Sequence, residues 1–411
     1  MSDPRTFVIV GAGQAGRWLV QTLRAEGFAG RIVWFGDEPH PAYDRPPLSK
    51  AVLQGEVEVG ALALLSTEQV AQADVQWRPG EAVVAIDRAR RSVRTQRGDE
   101  VGYDTLFLAT GGRARALPGL APHPRVATLR SFEDALAIKA ALAGAQRVLV
   151  LGGGWIGLEV AASARMQGRD VTVLEAAPRL CVRTVPPCVS DELLRLHETH
   201  GVAVRLGDAV ASVVPSDDGV SVRMASGAEH HGDLLVVGIG MLAADGLAAE
   251  AGLAVDNGVL TDASGRTADP AVFAVGDVAN AQRSDGRRLR IESWENAERQ
   301  AIAAARAALG VAFDPDSAGP PWFWSDQFDA NVQLLGLPDA TQRVIERRVS
   351  GRREQRTFFF CEGARVRAVA AVNAGRDLKL ARKWIQQDRY PVLEALTDPA
   401  QDLAKLPTTP A

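Results

Sequence analysis

Two stretches of the 411-residue sequence carry glycines at a spacing that can hold a dinucleotide pyrophosphate. The pattern Gly-x-Gly-x-x-Gly occurs at Gly11, Gly13 and Gly16 and again at Gly152, Gly154 and Gly157. The first glycine permits a tight turn, the second lets the backbone approach the pyrophosphate, and the third lets a helix pack closely on a strand. The N–H groups and positive dipole at the start of that helix attract the phosphates. Each pattern therefore predicts a phosphate-binding site, which we call the first cradle and the second cradle.

An acidic residue follows each cradle at the distance where a ribose would lie. Glu175 directly follows the strand predicted over Val171–Leu174, and its carboxylate is placed to accept both hydroxyl groups of an adenosine ribose. In the first cradle the matching position is Gly36, and Asp37 follows one residue later. Asp37 is therefore the predicted ribose ligand of the first cradle.

The surrounding elements decide between a dinucleotide site and an ordinary glycine-rich turn. An isolated Gly-x-Gly-x-x-Gly fits both interpretations. Here each pattern stands between an apolar strand, Phe7–Val10 or Val148–Leu151, and a predicted helix. Each half also closes on a buried strand that ends in glycine, DTLFLATG at 104–111 and DLLVVGIG up to Gly240. The sequence thus predicts a duplicated domain, two dinucleotides bound at once, and electron transfer between them.

A further strand that ends in Gly-Asp separates the roles of the two cradles. The run VFAVGDVAN contains Asp277, and residues with helical spacing begin near Trp294. Here the chain resembles the two-dinucleotide flavoprotein family, in which this aspartate binds the ribityl chain or pyrophosphate region of FAD and the next helix points at the flavin ring. A helix N-terminus stabilises the negative charge of a reduced flavin by up to about 1–2 kcal/mol. The resemblance implies FAD in the first cradle and NAD(P)H in the second.

Three more stretches resemble one branch of that family. The segment YDRPPLSK, 43–50, lies where disulfide reductases of this fold carry a redox-active cysteine pair, and it contains no cysteine. PWFWSDQ, 321–327, opens the C-terminal part, and GGGWIGLEVA places Glu159 on the helix of the second cradle. Together they closely resemble, over essentially the whole chain, the ferredoxin reductases that serve bacterial Rieske oxygenases and cytochrome P450 systems. The resemblance implies hydride transfer from NADH to FAD, then single-electron transfer to a [2Fe–2S] ferredoxin that feeds the oxygenase.

The resemblance also assigns roles to individual residues. Lys50 would lie beside flavin N5, Glu159 near the nicotinamide, and Trp324, rather than Trp322, would form an aromatic lid. The alternatives are a surface lysine, a helix residue that faces the sheet, and a core tryptophan. Further cofactor contacts implied by the resemblance are Ala15, Arg45, Val83, Arg130, Ile156 and Arg183.

The choice between NADH and NADPH depends on the charges at the second ribose position. Glu175 would repel a 2′-phosphate and so favours NADH. Arg179 and Arg183 could instead accommodate that phosphate. We give more weight to the carboxylate because it stands at the ribose position itself, and we predict NADH as the second cofactor.

The predicted fold class is α/β, with two Rossmann-like dinucleotide-binding domains and a small C-terminal α+β domain, in a glutathione-reductase-like arrangement. The FAD-binding domain is predicted over 1–115 and 244–319, and the NAD-binding domain over 116–243 interrupts it. The linker FDPDSAGPP, 313–321, marks the next boundary because it is rich in proline and glycine. The C-terminal domain, 320–411, is predicted to contain alternating strands, a final helix and a loosely ordered tail after Pro399.

Composition argues against several other classes of protein. Hydrophobic residues make up 46% and charged residues 23%, with a formal net charge of −4, so nothing points to nucleic acid. No apolar run approaches the roughly 20 residues of a membrane helix, and no signal-peptide pattern precedes the first strand, which favours the cytoplasm. Cys181, Cys188 and Cys361 form no metal or disulfide pattern. The histidines, His197 among them, are interpreted as surface polar residues, and no metal site is predicted.

Two alternative functions and one docking surface stay open. An NADH oxidase or peroxidase would usually carry a cysteine within 43–50, and a flavoprotein of NADH-sensitive association, like the apoptosis-inducing factors, would carry long C-terminal insertions. This chain has neither. The basic segment ERRVSGRREQR, 346–356, predicts a hairpin with Ser-Gly at its turn. Either it docks an acidic ferredoxin together with the final helix, or it is a solvated hairpin that keeps an edge strand charged.

Overall fold

The computed structural model describes residues 3–57, 59–283, 286–312, 314, 319–351 and 353–410. The chain forms two compact units. The first consists of Met1–Asp44, Val59–Arg113 and Met241–Ala318, and the second of Arg45–Glu58, Ala114–Gly240 and Gly319–Ala411. Each unit contains one cradle and one five-stranded parallel sheet. Residues 313 and 315–318 of the predicted linker, and Arg352 of the predicted hairpin, lie outside the described residues.

The strand that leads into the first cradle lies at the centre of the main sheet of the first unit. Its parallel strands lie in the order Val272–Ala274, Thr105–Leu108, Thr6–Val10, Arg31–Phe35 and Val75–Arg78. The inner strands are runs of β-branched and aromatic residues buried on both faces, as expected of a parallel sheet covered on both sides. Helices Gln14–Ala25 and Trp294–Leu309 share a core with one of these faces.

The central sheet of the second unit repeats this arrangement around the second cradle. Its parallel strands lie in the order Ala203–Leu206, Asp170–Glu175, Arg147–Leu151, Leu234–Val237 and Val126–Thr128. In both sheets the strand that leads into the cradle lies between two others. On one side is the strand before the predicted ribose ligand, Arg31–Phe35 or Asp170–Glu175, which we call the ribose strand, and on the other is the strand that closes in glycine. The predicted duplication of the cradle-bearing sheet is therefore confirmed.

Short elements complete the two units. The remaining strands before the C-terminal part are Val83–Asp87, Ser92–Thr95, Glu100–Gly102, Gly112–Ala114, Val210–Ser216, Gly219–Met224, Glu229–Gly232, Met241–Ala243, Val259–Thr261, Ala279–Gln282 and Arg288–Leu289. The remaining α-helices are Ala51–Gln54, Thr67–Gln72, Phe132–Gly144, Trp155–Met166, Pro187–Thr199, Gly246–Glu250 and Gly375–Gln387. The 3₁₀ helices are Pro46–Ser49, Val59–Leu62, Gly276–Val278, Leu393–Thr397 and Leu403–Lys405. Across the described residues, no helix is both long enough and apolar enough to cross a membrane.

The C-terminal part is an antiparallel sheet packed against one helix, as predicted. Its strands lie in the order Trp322–Gln327, Ala330–Leu335, Arg365–Val372, Gln355–Glu362 and Arg343–Val349. Helix Gly375–Gln387 buries Leu378, Ala381 and Trp384 in the same core. The predicted hairpin is present, because the last two strands of this order are consecutive and antiparallel.

The prediction of a loosely ordered tail after Pro399 is wrong. Leu403 is buried in the C-terminal core, and Thr408–Pro410 pairs antiparallel with Arg389–Pro391. The guanidinium of Arg347, itself buried, donates to the backbone carbonyl of Gln401 in the tail and to that of Asp398 just before it. A buried guanidinium needs acceptors for its donors, and here the tail supplies them, which orders it.

Candidate functional site

The first cradle is closed so tightly that only glycine fits at two of its positions. Gly11 has a φ of +117°, and a Cβ there would lie 2.1 Å from the carbonyl oxygen of Ala109. A Cβ at Gly16 would lie 2.1 Å from the carbonyl oxygen of Gly11. The Gly11 N–H donates to the Phe35 carbonyl at 2.9 Å, which ties the turn to the neighbouring strand. The left-handed turn and the close helix–strand approach both require glycine.

The second cradle has the same construction. Gly152 has a φ of +107°, and a Cβ there would lie 2.4 Å from the carbonyl oxygen of Gly238. A Cβ at Gly157 would lie 2.1 Å from the carbonyl oxygen of Gly152. The Gly152 N–H donates to the Leu174 carbonyl at 2.8 Å. The two cradles therefore agree in their hydrogen bonds as well as in their sequence spacing.

The middle glycine of each cradle faces open space. Apart from its own chain neighbours, no atom lies within 4 Å of a Cβ built at Gly13 or at Gly154. Both glycines are helix N-caps without a side-chain cap, so the first N–H groups of each helix are left for another acceptor. Within the described part of the chain, both side-chain amide atoms of the half-buried Gln14 are buried and also lack a partner. Open space lined by helix N–H donors fits a pyrophosphate, so both cradles fit the predicted dinucleotides.

Glu175 lies at the edge of the second cradle with both carboxylate oxygens on backbone amides. Its Oε2 accepts from the N–H of Gly153 at 2.5 Å, and its Oε1 accepts from the N–H of Ala177 at 2.7 Å. Each carboxylate oxygen can accept more than one hydrogen bond. These bonds therefore fix the orientation of the carboxylate and leave capacity for the hydroxyls of a ribose.

The two arginines considered for a 2′-phosphate have different surroundings. The guanidinium of Arg179 donates to the carbonyls of Val182 and Val185 and to Oγ of Ser190, at 2.6–3.0 Å. Arg183 is exposed, and its guanidinium would lie 3.0 Å from a Cβ at Gly240. Arg179 is thus committed to protein acceptors, which weakens the argument for NADPH.

The glycine at the ribose position of the first cradle has a steric cause. A Cβ at Gly36 would lie 2.8 Å from the Cβ of Ala12 and 2.8 Å from the ring of Trp77. In the second cradle, Gly153 matches Ala12, and a Cβ there would lie 3.2 Å from Oε2 of Glu175. Each cradle therefore has a side chain at only one position of this pair, alanine in the first and glutamate in the second.

A buried carboxylate lies at the centre of a polar cluster in the second unit. The side chain of Glu159 is only 4% exposed, and Lys50 Nζ lies 3.2 Å from its Oε1. Ser325 Oγ donates to the same oxygen at 2.6 Å, and Ser49 Oγ donates to Oε2. The 3₁₀ helix Pro46–Ser49, the cradle helix and the first C-terminal strand bring these groups together. Lys50 and Glu159 were predicted site residues, whereas Ser49 and Ser325 were missed.

Burial and hydrogen bonding act on Glu159 in opposite directions. Burial raises the pKa of this carboxyl above its ordinary value, because the ionised form loses its hydration. The ammonium of Lys50 and the hydroxyls of Ser325 and Ser49 oppose that rise, because each favours the carboxylate. The cluster thus holds an acceptor oxygen beside a cation in a dry site, an arrangement that can orient a polar group of a bound ring.

The interpretation of His197 as a surface residue is wrong. Its side chain is fully buried, and its Nε2 lies 2.9 Å from Oε1 of Gln327. Gln327 Nε2 in turn donates to Ser325 Oγ at 3.0 Å. Ser325 and Gln327 are two residues apart on a strand and therefore point to the same face. Two polar residues on an inward strand face were the sequence signal for this buried polar site.

The two tryptophans of the same strand point to its other face. Their rings stack with centroids 4.9 Å apart and an angle of 15° between the planes. Trp322 Nε1 donates to Gln333 Oε1 at 3.0 Å, and Trp324 is half-buried. The pair presents an aromatic surface at the start of the C-terminal sheet, and the role of Trp324 as a lid stays a prediction.

Predicted cofactor residues of the first unit lie on several elements. Ala15 is buried in the cradle helix, Val83 is half-buried on a short strand, and Asp37 is exposed beyond the ribose strand. Asp277 lies in the 3₁₀ helix after Val272–Ala274. Trp294 begins its helix, as predicted, and its Nε1 donates to Oδ1 of Asp44 at 2.9 Å.

The remaining predicted residues belong to the second unit. Arg45 donates to the carbonyl of Arg130 at 2.7 Å, so the structure brings this pair together. Ile156 follows the N-cap of the second cradle helix and is exposed.

Comparison with known proteins gives the family. A model described as pyridine nucleotide-disulphide oxidoreductase matches residues 5–301, and one described as reductase C-terminal matches residues 322–407. The chain belongs to the pyridine nucleotide-disulphide oxidoreductase family. Members of this family bind FAD and NAD, which agrees with the two cradles.

Individual relatives of this family member cover almost its whole length. The anthranilate 1,2-dioxygenase system ferredoxin–NAD⁺ reductase component of Burkholderia cepacia is 41% identical over 405 residues, 98% of each chain. The ferredoxin reductase for the CYP199A2 system from Rhodopseudomonas palustris has a TM-score of 0.92 at 33% identity, covering 98% of this chain and 99% of that one. A chain of the covalent putidaredoxin reductase–putidaredoxin complex has a TM-score of 0.92 at 36% identity, covering 98% of each. The predicted resemblance and fold class are confirmed.

The cysteines of this pyridine nucleotide-disulphide oxidoreductase are poorly suited to thiol chemistry. All three are free. Burial raises the pKa of Cys361 to about 11 and that of Cys188 above its ordinary value. Burial, with the charge of Glu175, raises the pKa of Cys181 further still. Because the thiolate is the reactive form, none of the three is activated. Nor do the described residues contain a group of His, Cys, Asp or Glu side chains that could hold a metal ion.

Proposed function

We propose that the chain is an NADH-dependent ferredoxin reductase, with FAD in the first cradle, NADH in the second and a [2Fe–2S] ferredoxin as electron acceptor. Bound FAD would accept a hydride from NADH and release its electrons singly. The relatives support this partner, since each is by name a ferredoxin reductase or a putidaredoxin reductase. The division into 1–115 with 244–319, 116–243 and 320–411, and a cytoplasmic location, belong to the same proposal.

One observation carries the proposal: the segment that holds the cysteine pair in disulfide reductases of this fold holds Ser49 and Lys50 here. Both side chains bind Glu159. A disulfide reductase passes its electrons through a dithiol, and this segment offers a hydroxyl and an ammonium instead. Electrons that arrive from NADH would therefore have to reach their acceptor without passing through a dithiol of this segment, as transfer to an iron–sulfur protein requires.

The chain's own residues bind and position, and no covalent step on a side chain is needed. Both cradles would hold pyrophosphates on helix N–H groups, and Glu175 would accept the ribose hydroxyls. Glu159 would orient the nicotinamide with the hydrogen-bond acceptor capacity that Lys50, Ser49 and Ser325 leave on its carboxylate. Lys50 would fix the Glu159 carboxylate, and the resemblance implies that its ammonium would also lie beside flavin N5. Trp324 would cover the reacting rings and exclude water, as the resemblance implies.

We expect the Glu175→Ala substitution to narrow the preference for NADH over NADPH by about tenfold, measured as the ratio of kcat/KM values. The substitution removes an acceptor of two ribose hydroxyls and also the negative charge that repels a 2′-phosphate. Asp170→Ala is the matched control, because Asp170 lies on the same strand and its side chain is 72% exposed. Equal efficiency with both nucleotides in the unsubstituted enzyme would refute the assignment.

Replacing Cys181, Cys188 and Cys361 together by alanine is expected to leave flavin reduction by NADH at a similar rate. Loss of buried packing lowers stability by about 1 kcal/mol at each buried site. Anaerobic stopped-flow absorbance of the flavin measures the rate, and thermal unfolding measures the stability. A folded, FAD-loaded triple variant that NADH cannot reduce would reveal a redox thiol.

The proposed function is tested by following the two half-reactions separately. Under anaerobic conditions, NADH should bleach the absorbance of the bound flavin. A [2Fe–2S] ferredoxin added afterwards should then be reduced at a rate that depends on the ferredoxin concentration. An NADH oxidase would instead consume NADH with oxygen at the same rate whether or not ferredoxin is present. A flavoprotein of NADH-sensitive association would bleach slowly and change its oligomeric state.

The structure bears on where the ferredoxin docks. In the hairpin, Arg348 and Arg356 both donate to Glu346, and Arg356 also pairs with Glu192. On the final helix, Lys379 and Lys383 are exposed, whereas Arg376 pairs with Asp402 at 2.9 Å. Pairing reduces the positive field of the hairpin, which favours its interpretation as a charged edge rather than as the docking surface.

A further inference from the structure

Buried polar side chains lead from Glu159 into the interior of the second unit. His197 and Ser325 are fully buried and Gln327 is 1% exposed. His197 Nε2 lies 2.9 Å from Gln327 Oε1, Gln327 Nε2 lies 3.0 Å from Ser325 Oγ, and Ser325 Oγ lies 2.6 Å from Glu159 Oε1. We call His197, Gln327 and Ser325 the buried relay. It joins two helices through one strand.

The amide of Gln327 gives the buried relay a direction. Its oxygen can only accept, so His197 must carry its proton on Nε2 and donate it. Its nitrogen can only donate, so Ser325 Oγ accepts there and has its own proton left for Glu159. A reversed amide would instead compete with Glu159 for the serine proton. The orientation of one amide therefore decides whether the carboxylate receives this hydrogen bond.

His197 is a costly residue to bury for packing alone. Within the described part of the chain its Nδ1 has no hydrogen-bond partner, and an unsatisfied buried polar atom is unfavourable. Burial lowers the pKa of His197 to about 4, so the ring is neutral at physiological pH and serves as a donor rather than as a charge.

The turn after Gln327 is also held under strain. Phe328 has a φ of +56°, which is unfavourable for a bulky side chain. Its ring stacks on His200 with centroids 4.0 Å apart and meets His197 edge-on at 5.2 Å. These contacts fix the end of the strand and hence the side chain of Gln327. Strain held by packing beside a polar site indicates a positional requirement.

We propose that His197, Gln327 and Ser325 are positioning residues that hold Glu159 in one orientation as an ionised acceptor for the nicotinamide. The part of this proposal that concerns the nicotinamide rests on the proposed function, whereas the state of the carboxylate does not. The titratable groups around Glu159 are Lys50, in direct contact, and the Cys181 thiol, whose pKa the charge of Glu159 helps to raise. The hydroxyls of Ser49 and Ser325 complete its surroundings.

Removing the serine proton should make Glu159 a weaker acid. In Ser325→Ala we expect the pKa of Glu159 to rise by about one unit or more, a tenfold change in its acid dissociation constant. The readout is the infrared band of the protonated carboxyl, titrated with pH and assigned by its loss in Glu159→Gln. Gln327→Met should produce a rise in the same direction, and Ser325→Thr, which restores a hydroxyl, should reverse it.

Thr357→Val is the matched control. Thr357 is 1% exposed and donates to Asp377 at 3.0 Å in another polar pair of the same unit. The Thr357→Val variant should lower the free energy of unfolding without moving the infrared band of Glu159.

A further variant, Gln327→Glu, tests the contact with His197. A carboxylate beside the imidazole ring favours the imidazolium, so the pKa of His197 should rise well above 4 in its NMR titration.

If Ser325→Ala and Gln327→Met destabilise the protein as Thr357→Val does but leave the Glu159 band unmoved, the buried relay is only core structure and the proposal is overturned. A moved band supports it even if no ferredoxin is reduced, because that second result concerns only the proposed function. For the nicotinamide, the affinity of the oxidised enzyme for NAD⁺ should fall by about tenfold in Ser325→Ala and be unchanged in Thr357→Val.

Discussion

Replacing Lys50 by methionine is expected to lower the free energy of unfolding by about 3 kcal/mol at neutral pH. The substitution leaves Glu159 buried without its cation, and breaking one partner of a buried pair is far more costly than removing the whole pair. The pKa of Glu159, already raised by burial, should rise further, because the first effect that opposes burial is lost. Urea denaturation at several pH values measures the effect.

The pH dependence of this variant has a definite sign. A carboxyl whose folded pKa lies above the unfolded value of about 4.3 contributes most stability below that value, and loses it as the pH rises through the folded pKa. The deficit of Lys50→Met should therefore be smallest in acid and grow towards neutral pH. The double variant Lys50→Met/Glu159→Gln should recover most of the loss, since no unpaired charge remains.

Lys405→Met is the control for the loss of a lysine. Lys405 Nζ lies 4.0 Å from Asp402, and its side chain is 84% exposed. Surface pairs of this kind contribute little, so stability should change by less than about 1 kcal/mol at every pH. If Lys50→Met were equally mild and independent of pH, Glu159 would not be ionised in the folded protein.

Substitution of Gly13 by alanine is expected to weaken FAD binding by about a hundredfold while the apoprotein still folds. A Cβ at Gly13 meets no neighbouring group of the protein, and it would occupy the space through which the backbone approaches the pyrophosphate. The loss of close hydrogen bonds to a charged group accounts for this magnitude. Titration of the apoprotein with FAD, followed by flavin fluorescence, measures the affinity.

Gly11→Ala should behave differently. Its Cβ would lie 2.1 Å from the Ala109 carbonyl in a left-handed backbone, so the first unit should fail to fold. Gly246→Ala is the neutral control, because a Cβ there also meets nothing within 4 Å, at the start of a different helix, Gly246–Glu250. Unchanged FAD affinity in Gly13→Ala would mean that the pyrophosphate is bound elsewhere.

Local spacing predicted the parts of the site that local backbone builds. The cradles follow from glycine positions and flanking periodicity, because turn, strand and helix N-terminus are consecutive in sequence. Glu175 could be placed for the same reason, since it ends the strand beside the cradle strand. The sequence also shows that Gly36 stands where the second cradle has Glu175. The cause could not be predicted, because the Trp77 ring that fills this space comes from another strand.

The surroundings of Glu159 could not be predicted, because they depend on contacts between distant segments. Ser49 and Ser325 carry no motif that indicates a carboxylate partner. Ser325 and Gln327 alternate with other residues along Trp322–Gln327, so they share one face of the strand. The sequence alone does not show that this face is covered, and without that knowledge the two residues do not indicate a buried polar site. His197 lies on a helix with polar neighbours, so burial became apparent only from the packing of that helix. The ordered tail likewise depends on distant contacts: the donors of the Arg347 guanidinium, the burial of Leu403 and the pairing of Thr408–Pro410 with Arg389–Pro391.

Each cradle has room for a side chain at only one of two matched positions: Ala12 rather than Gly36 in the first, and Glu175 rather than Gly153 in the second. This limit constrains how the protein can be re-engineered or can evolve. An acidic residue cannot simply be installed at Gly36, because the methyl of Ala12 and the indole of Trp77 already fill its place. The route must include both Ala12→Gly and relief of the Trp77 indole, which packs on Trp34 with ring centroids 4.5 Å apart, before the carboxylate is tolerated. Likewise, a methyl added at Gly153 would clash with Leu180 at 2.5 Å and press on Glu175 at 3.2 Å, so it would erode nucleotide selectivity while the acid itself stays unsubstituted. Within each cradle these positions are therefore coupled, and an exchange of ligand preference between the two halves requires several substitutions made together rather than one.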